Sequence, residues 1–433
     1  MLPSGSISWR HQFDQHRGRV GLVYKYVTGQ GLLQLLNVLN GFFLLRWLSI
    51  DEQAKFSLAM GLQATLGILG DLGLGGSLLG LIGDRVDDRK LIGQYVAGIQ
   101  RFKDRFFIVS AFIGSIAVAI FYQKQNWGSD LWIIYGLVLL GIYAQSMIGY
   151  YSAILQMKKD LLSYYRTQVT AAFIRLIAAF LLYYSLELNA IQAVFIATIA
   201  FMVNAIWVRQ YALAYFEPVR KANPDKIREI FKTVWPVMPM VAFYAIQGQM
   251  TIFLSGYFGK ATNVAEIGAL GRLSQIFSLF TPFTSIVLLP YFARSNTEEV
   301  LKRAILIVIV STSLVFPLVV IAYYKEDFFI WMLGSKFFSV KDEILLFICV
   351  AAINYVAGIL WAIIIARKFN RGYLALINIF VLLTVQLIYI RNADLSTTHS
   401  VVVLSVYLST VSLLSNIFIL MVGIRGNNTS LYF

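Results

Sequence analysis

The chain has 433 residues, of which 58% are hydrophobic and only 13% are charged. A soluble protein carries about 25% charged residues, so this composition excludes an ordinary soluble domain and favours a protein embedded in lipid. A net charge of +14 is also typical of nucleic-acid-binding proteins, but here Lys and Arg lie in short loops between apolar runs, so no nucleic-acid partner is expected.

Apolar runs long enough to cross a bilayer recur from one end of the chain to the other. A transmembrane helix needs about 20 such residues, and the connections between these runs are short. The sequence therefore predicts an all-α polytopic membrane protein with about twelve transmembrane helices. The predicted spans are 22–47, 56–83, 106–123, 131–155, 167–186, 190–208, 234–258, 265–292, 304–323, 343–366, 373–390 and 400–424.

The Lys and Arg counts of alternate loops predict the orientation in the membrane. With the N-terminus inside, the inner segments hold 26 basic residues and the outer segments hold 8, while Arg175 and Arg272 lie within spans. Because cytoplasmic loops carry the excess of basic residues, both termini are expected in the cytoplasm.

A polar stretch at 217–233 (EPVRKANPDKIREIFKT) follows the sixth span and divides the chain into two halves. The sequence thus predicts an N-terminal six-helix lobe at 1–216, a cytoplasmic linker at 217–233 and a C-terminal six-helix lobe at 234–433. Six spans is an even number, so both halves enter the membrane from the same side. If the halves are duplicates, a pseudo-two-fold axis must run along the membrane normal.

Polar side chains follow one face of the first span and one face of the seventh. Gln30, Gln34 and Asn37 recur at helical spacing in the first, and Tyr244 and Gln247 do so in the seventh. Amides inside a membrane face protein or water rather than lipid. Two interpretations stay open: hydrogen bonds that only join helices, or the wall of a hydrated cavity suited to sugar hydroxyls.

Three ionisable residues lie well inside predicted spans: Asp71, Arg175 and Arg272. Each would cost about 2.5–3.5 kcal/mol at the bilayer centre on insertion scales, so each is expected to face the protein interior. One interpretation is a structural salt bridge between Asp71 and either arginine. The other is a cationic cavity that binds an anionic group, with Asp71 as counter-ion or proton-sensitive switch.

The region from Arg46 to Arg105 resembles the N-terminal signature of polysaccharide-biosynthesis flippases, the O-antigen (Wzx-type) translocases. Their superfamily also includes multidrug-and-toxin (MATE) exporters and lipid II flippases. The resemblance rests on Arg46-Trp-Leu-Ser49, Glu52-Gln53, Phe56, Asp71-Leu-Gly-Leu-Gly75 and the basic segment that ends at Arg105. Ala54-Lys55-Phe56 departs from the glycine-aromatic pair usual in the family, and the six-plus-six plan extends the resemblance over nearly the whole chain.

The resemblance implies a two-lobed, V-shaped, MATE-like bundle that works by alternating access in a bacterial inner membrane. It also implies an undecaprenyl-pyrophosphate-linked oligosaccharide as substrate, with membrane lipids and polysaccharide-assembly proteins as further partners. Arg175 and Arg272 are the candidates for holding the pyrophosphate or acidic sugars. Coupling to a proton or sodium gradient is implied, with Asp71 as the candidate ion-coupling residue, and no other cofactor is expected.

Two other functions compete with a flippase. A MATE-like exporter of small molecules has the same fold, although a cationic interior disfavours the usual cationic drugs. An integral-membrane polysaccharide polymerase would need catalytic groups outside the membrane, but the largest outer loop, at 324–342, has no His or Cys. The chain is therefore expected not to be an enzyme. With one cysteine and three scattered histidines, no metal site is expected either.

Overall fold

The computed structural model describes residues 6–83, 85–185, 188–280, 299–367, 369 and 372–429; for residues 6–26, 372, 373, 375 and 425–429 it describes the backbone alone. Within these residues the chain is helical apart from turns and contains no strand. Eight helical segments in this described part of the chain are long and apolar enough to cross a membrane. The predicted all-α architecture is therefore confirmed.

The first six predicted spans are helices or broken helices in the described residues. They are α1 (Ser6–Trp47), α2 (Ile50–Asp71) with α3 (Leu74–Ile82), α4 (Arg89–Gln125), α5 (Asp130–Met157), α6 (Leu161–Ser185) and α7 (Ala190–Ala212).

The linker forms helix α8, and the second half repeats the plan of the first. The elements are α8 (Pro224–Val234), α9 (Met238–Gln247) with α10 (Met250–Phe258), α11 (Ala261–Phe277), α12 (Val300–Tyr324), α13 (Glu326–Leu333), α14 (Lys341–Ala366), α15 (Gly372–Asn392) and α16 (Thr398–Thr429). The predicted eighth span extends to residue 292, and its part after 280 lies outside the described residues.

The segment 84–105, predicted as a basic loop, is helical from Arg89 onward. Asp88 caps this helix, because its carboxylate accepts a hydrogen bond of 2.9 Å from the backbone N–H of Leu91. Hydropathy finds only the part of a helix that lies in lipid, so the amphipathic first turns of α4 were assigned wrongly to a loop. Lys103 thereby lies on a helix, where it is buried.

Two predicted spans are broken rather than continuous. In the second span α2 ends at Asp71, where Leu72 and Gly73 adopt left-handed φ angles of 43° and 87°. Glycine meets such an angle without strain, which explains Gly73 at the N-cap of α3. In the seventh span, helices α9 and α10 are separated at Gly248 and Gln249. The second span is still long enough to cross a membrane, over Ile50–Ile82, but as a broken helix rather than a continuous one.

Helix α8 packs on the first half of the chain rather than bridging freely to the second. Its residues Ile230 and Val234 are buried, and its contacts are with α3 and α4. Tyr95 on α4 donates a hydrogen bond of 2.8 Å to Glu229 on α8. The linker is thus a fixed amphipathic helix on the N-terminal lobe.

The two halves repeat the same helix pairing. The most extensive contacts join α5 to α7 in the first half and α14 to α16 in the second, which are the fourth and sixth spans of each half. Between the halves, α2 packs on α11, while α1 contacts α11 and α2 contacts α9. A pseudo-two-fold axis exchanges the first span of each half, and likewise the second. The contact of α1 with α11 is thus the equivalent of the contact of α9 with α2, and the paired second spans, α2 and α11, lie nearest the axis.

The face of the bundle that carries residues 213–223 is called the linker face below. The opposite face, which carries residues 48–49, 126–129 and 325–340, is called the distal face.

The crossing of α2 and α11 depends on Gly268, so we expect Gly268→Ala to lower the melting temperature. A Cβ at this position would lie 2.0 Å from the Ser57 hydroxyl oxygen and 2.6 Å from the Ser57 Cβ. Overpacking of this kind costs about 1–3 kcal/mol. Gly271→Ala on the same helix is the control, because nothing lies within 4 Å of its new Cβ. Equal thermal unfolding of the two purified variants in detergent would contradict the prediction.

Candidate functional site

A cavity of 330 Å³ lies between the two halves of the chain, among α1, α2, α6, α7 and α11. We call it the arginine cavity. Its lining residues are Gln34, Asn37, Val38, Asn40, Gly41, Leu44, Phe56, Met60, Arg175, Ala197, Arg272, Gln275 and Ser278.

The two arginines reach this cavity from different lobes. Arg175 lies on α6, and its Nη2 donates a hydrogen bond of 2.7 Å to the Asn37 side-chain oxygen on α1. Arg272 lies on α11, with its guanidinium carbon 5.6 Å from the centre of the Phe56 ring. Gly41 lets Arg272 approach α1, because a Cβ there would lie 3.2 Å from the Arg272 Cδ.

The charge of the arginines is not neutralised within the described residues. No Asp or Glu is among the lining residues, and neither guanidinium forms a described salt bridge. Arg175 Nε is buried and has no hydrogen-bond partner in the described part of the chain. Buried charges are normally paired or hydrogen-bonded. The cavity is therefore cationic and suited to an anion that accepts several hydrogen bonds.

A second cavity of 650 Å³ adjoins the first, since Met60, Arg272 and Gln275 line both. We call it the serine chamber. Its polar lining is uncharged apart from Arg272 and consists of Ser57, Ser274, Ser405, Ser409, Ser412, Asn354, Tyr244, Gln247, Gln249, Thr251 and Gln275. The Tyr244 hydroxyl accepts a hydrogen bond of 2.6 Å from the Asn378 amide, while Gln247 Oε1 is buried with no partner among the described residues. Such a surface can exchange hydrogen bonds with hydroxyl groups.

The structure brings most of the predicted site residues together. Gln34, Asn37, Arg175 and Arg272 share the arginine cavity, and Tyr244 and Gln247 lie in the serine chamber. Gln30 lies on α1 one turn nearer the linker face than Gln34, and it lines neither of these two cavities.

Sequence reasoning missed the serine stripe of α16. Ser405, Ser409 and Ser412 lie at spacings of four and three, which places them on one helical face, and this signal could have been read from the sequence. It also missed Ser278, whose hydroxyl donates a hydrogen bond of 3.3 Å to the Gln34 side-chain oxygen on the other lobe.

Asp71 pairs with Lys103 rather than with an arginine, so the interpretation of a structural salt bridge to Arg175 or Arg272 is wrong. Its carboxylate oxygen Oδ1 lies 3.2 Å from Lys103 Nζ on α4. The same carboxylate accepts the backbone N–H of Gly75 at 3.2 Å, in the first turn of α3. Lys103 also donates to the carbonyl of Ser146 and lies 4.5 Å from the centre of the Tyr150 ring. The ion-coupling role of Asp71 is a separate question and stays a prediction.

Reciprocal hydrogen bonds join the two lobes at the distal face. Arg46, near the end of α1, donates to the carbonyl of Trp331 on α13, and its guanidinium carbon lies 4.9 Å from the Trp331 ring centre. In return, Lys336 donates to the carbonyl of Leu48, just after α1. Cations bound at helix C-terminal ends are favoured by the helix dipole. We call these contacts of Arg46 and Lys336 the distal latch.

No protein-family model matches the chain, and no curated protein matches it in sequence. The chain is similar in structure to a multidrug resistance MATE family transporter of the MOP superfamily in its inward-facing conformation. The TM-score is 0.64 at 12% identity, over 92% of this chain and 95% of that one.

Two further solved structures have the same architecture. A eukaryotic MATE transporter matches with a TM-score of 0.57 at 13% identity, over 93% of each chain. A MOP superfamily transporter from Pyrococcus furiosus, described by a reversed polarity of its binding pocket, matches with a TM-score of 0.55 at 14% identity, over 96% of each chain. These likenesses cover nearly the whole length, and they show that this polytopic chain has a MATE-like fold.

Proposed function

We propose that the chain is an alternating-access transporter that carries an anionic substrate between its two lobes. The observation that carries this proposal is the pair Arg175 and Arg272, one from each lobe, in a cavity that no described acidic residue lines. The MATE-like fold supports the transport mode. The excess of Lys and Arg supports a cytoplasmic linker face with both termini on that side, in a bacterial inner membrane.

The proposed substrate is an undecaprenyl-pyrophosphate-linked oligosaccharide, flipped to the outer leaflet for surface polysaccharide synthesis. Its diphosphate suits the arginine cavity, because guanidinium groups bind phosphate oxygens through paired, charge-assisted hydrogen bonds. Its sugar hydroxyls suit the amides and hydroxyls of the serine chamber. Polysaccharide-assembly proteins and membrane lipids would then be its partners.

A small-molecule exporter is the second candidate, and the fold comparison favours it. A solved structure with this fold is named as a multidrug resistance transporter. The cavity charge restricts this candidate to anionic molecules, because an organic cation would be repelled by the two arginines. Both candidates are transporters rather than enzymes, and they differ in the lipid anchor of the substrate.

Transport requires the distal latch to open. In the proposed orientation, Arg46 and Lys336 close the outer side of the bundle, and a substrate reaching the outer leaflet must separate α1 from α13. Coupling to a proton or sodium gradient is part of the proposal, with Asp71 and its partner Lys103 as the candidate site.

Arg175→Gln and Arg272→Gln should each weaken binding of a polyprenyl-diphosphate disaccharide by about 30-fold or more, as expected for loss of one charged partner. Isothermal titration with the purified protein measures this. Lys302→Gln is the control, because Lys302 is an exposed charge at the start of α12, outside both cavities. Unchanged binding in both arginine variants would contradict the anionic site. Equally tight binding of the same disaccharide diphosphate without its polyprenyl chain would favour the small-molecule exporter.

Arg46→Gln with Lys336→Gln should shift the equilibrium toward an open distal face by about tenfold or more, because each charge-assisted hydrogen bond contributes about 1.5–3 kcal/mol. Electron spin resonance between labels at the exposed positions Tyr184 and Tyr324 measures the opening, with Cys349→Ser removing the native thiol. Lys325→Gln with Arg391→Gln removes the same charge from this face and should leave the distances unchanged. Identical distance distributions in all variants would refute the latch.

Asp71→Asn should destabilise the protein by about 3–5 kcal/mol, because it leaves the buried Lys103 unpaired. Asp71→Asn with Lys103→Met should restore most of that stability and yet lose the dependence of transport on a proton or sodium gradient. Thermal unfolding and uptake into proteoliposomes measure the two effects. Gradient-driven transport at the wild-type rate in the stable double variant would remove Asp71 from coupling.

A further inference from the structure

A groove of 240 Å³ lies on the outside of the N-terminal lobe, between α4 and α8. Its lining residues are Arg101, Phe102, Arg105, Pro224 and Ile227. Arg101 and Arg105 are exposed, and their spacing of four places them one above the other on the same face of α4. The groove is separate from the arginine cavity and shares no lining residue with it.

The position of the groove along α4 matches the level of lipid headgroups. One turn beyond Arg105, the exposed surface of α4 becomes apolar at Ile108, Val109 and Phe112, as expected for a surface in contact with acyl chains. At about 1.5 Å per residue, the two arginines lie within one or two turns of that boundary. The groove therefore lies where the charged and apolar parts of the bilayer meet.

Aromatic side chains continue from the groove along α8. The Phe102 ring stacks on Phe231 at 6.1 Å, and Phe231 in turn contacts Trp235 at 5.2 Å. Phe231 and Trp235 are exposed, although the opposite face of α8 packs on the protein. Exposed Trp and Phe beside basic residues are typical of helices that lie in the membrane interface.

The arginines of the groove are available for an anion. Neither Arg101 nor Arg105 forms a described salt bridge. Asp104, beside Arg105 on α4, and Asp225, which follows Pro224 on α8, are both exposed. The remaining carboxylate of α8, Glu229, is engaged, because hydrogen bonds from Lys226 and Tyr95 hold its pKa below the ordinary value. The groove consequently joins an uncompensated positive charge to an apolar surface.

We propose that this groove binds an anionic glycerophospholipid of the cytoplasmic leaflet. The two guanidinium groups hold the lipid phosphate, and the row Phe102, Phe231 and Trp235 lies against the upper part of its acyl chains. A soluble phosphate compound would use only the arginines, whereas a phospholipid uses both parts of the surface. This lipid site goes beyond the proposed function and does not depend on the identity of the transported substrate.

Native mass spectrometry of the purified full chain with phosphatidylglycerol and with phosphatidylcholine tests the proposal. Arg101→Gln with Arg105→Gln should weaken phosphatidylglycerol binding by about fivefold for each charge removed. Binding of phosphatidylcholine should stay the same. The control is Arg89→Gln with Lys90→Gln, which removes two exposed charges from the same helix three turns away.

Loss of phosphatidylglycerol binding only in the first variant supports the groove. Equal loss in both variants would show a general effect of positive charge and overturn the proposal, as would unchanged binding in both. Because all four positions are exposed, both variants should fold, and matching melting temperatures check this. Disaccharide binding in the arginine cavity should be unchanged in both, which keeps this test independent of the transported substrate.

Discussion

Two like charges, supplied by different lobes, meet in one cavity between those lobes. Arg175 belongs to the first half and Arg272 to the second, and no described carboxylate neutralises either. Two positive charges repel more strongly in a low-dielectric interior than in water, so an empty cavity favours separation of the lobes at this level. An anion bound between the two guanidinium groups would attract both of them and so offset their repulsion. In the proposed function, charge therefore links occupancy of the cavity to separation of the lobes.

Two sets of contacts between the lobes lie at different heights in the bundle. The distal latch joins α1 to α13 near one face. Beside the arginines, Ser278 directly after α11 donates a hydrogen bond to Gln34 on α1. A bound anion can favour one arrangement of the lobes only through a difference in affinity between arrangements. Within the first lobe, the hydrogen bond from Arg175 to Asn37 holds the guanidinium group in the cavity before any anion arrives. Preorganised donors of this kind need little rearrangement on binding.

Much of the fold could be predicted from the sequence because lipid imposes a length and a composition on each helix. The same reasoning placed Gln34, Asn37 and Arg175 on inward faces correctly, since a helical period assigns a residue to a face. It could not assign the partner across that face, and so a salt bridge of Asp71 with Arg175 or Arg272 stayed open although its partner is Lys103. It also left Lys103 in a loop, because a hydropathy window ends where a helix becomes amphipathic. The break at Leu72 and Gly73 depends on two backbone angles that composition does not encode.

The buried charges differ in whether the protein itself supplies a counter-charge. The charge of Asp71 is accounted for by Lys103 and by the first turn of α3, so its presence in a span needs no ligand. Arg175 and Arg272 have no carboxylate counter-charge among the described residues. An ionisable residue inside a membrane without such a counter-charge is a candidate for ligand binding. The pairing also constrains how Asp71 could couple transport to protons. Protonating its carboxyl would leave the Lys103 ammonium buried without a counter-charge, so both groups must change together, through release of the lysine proton or a movement of α4 against α3.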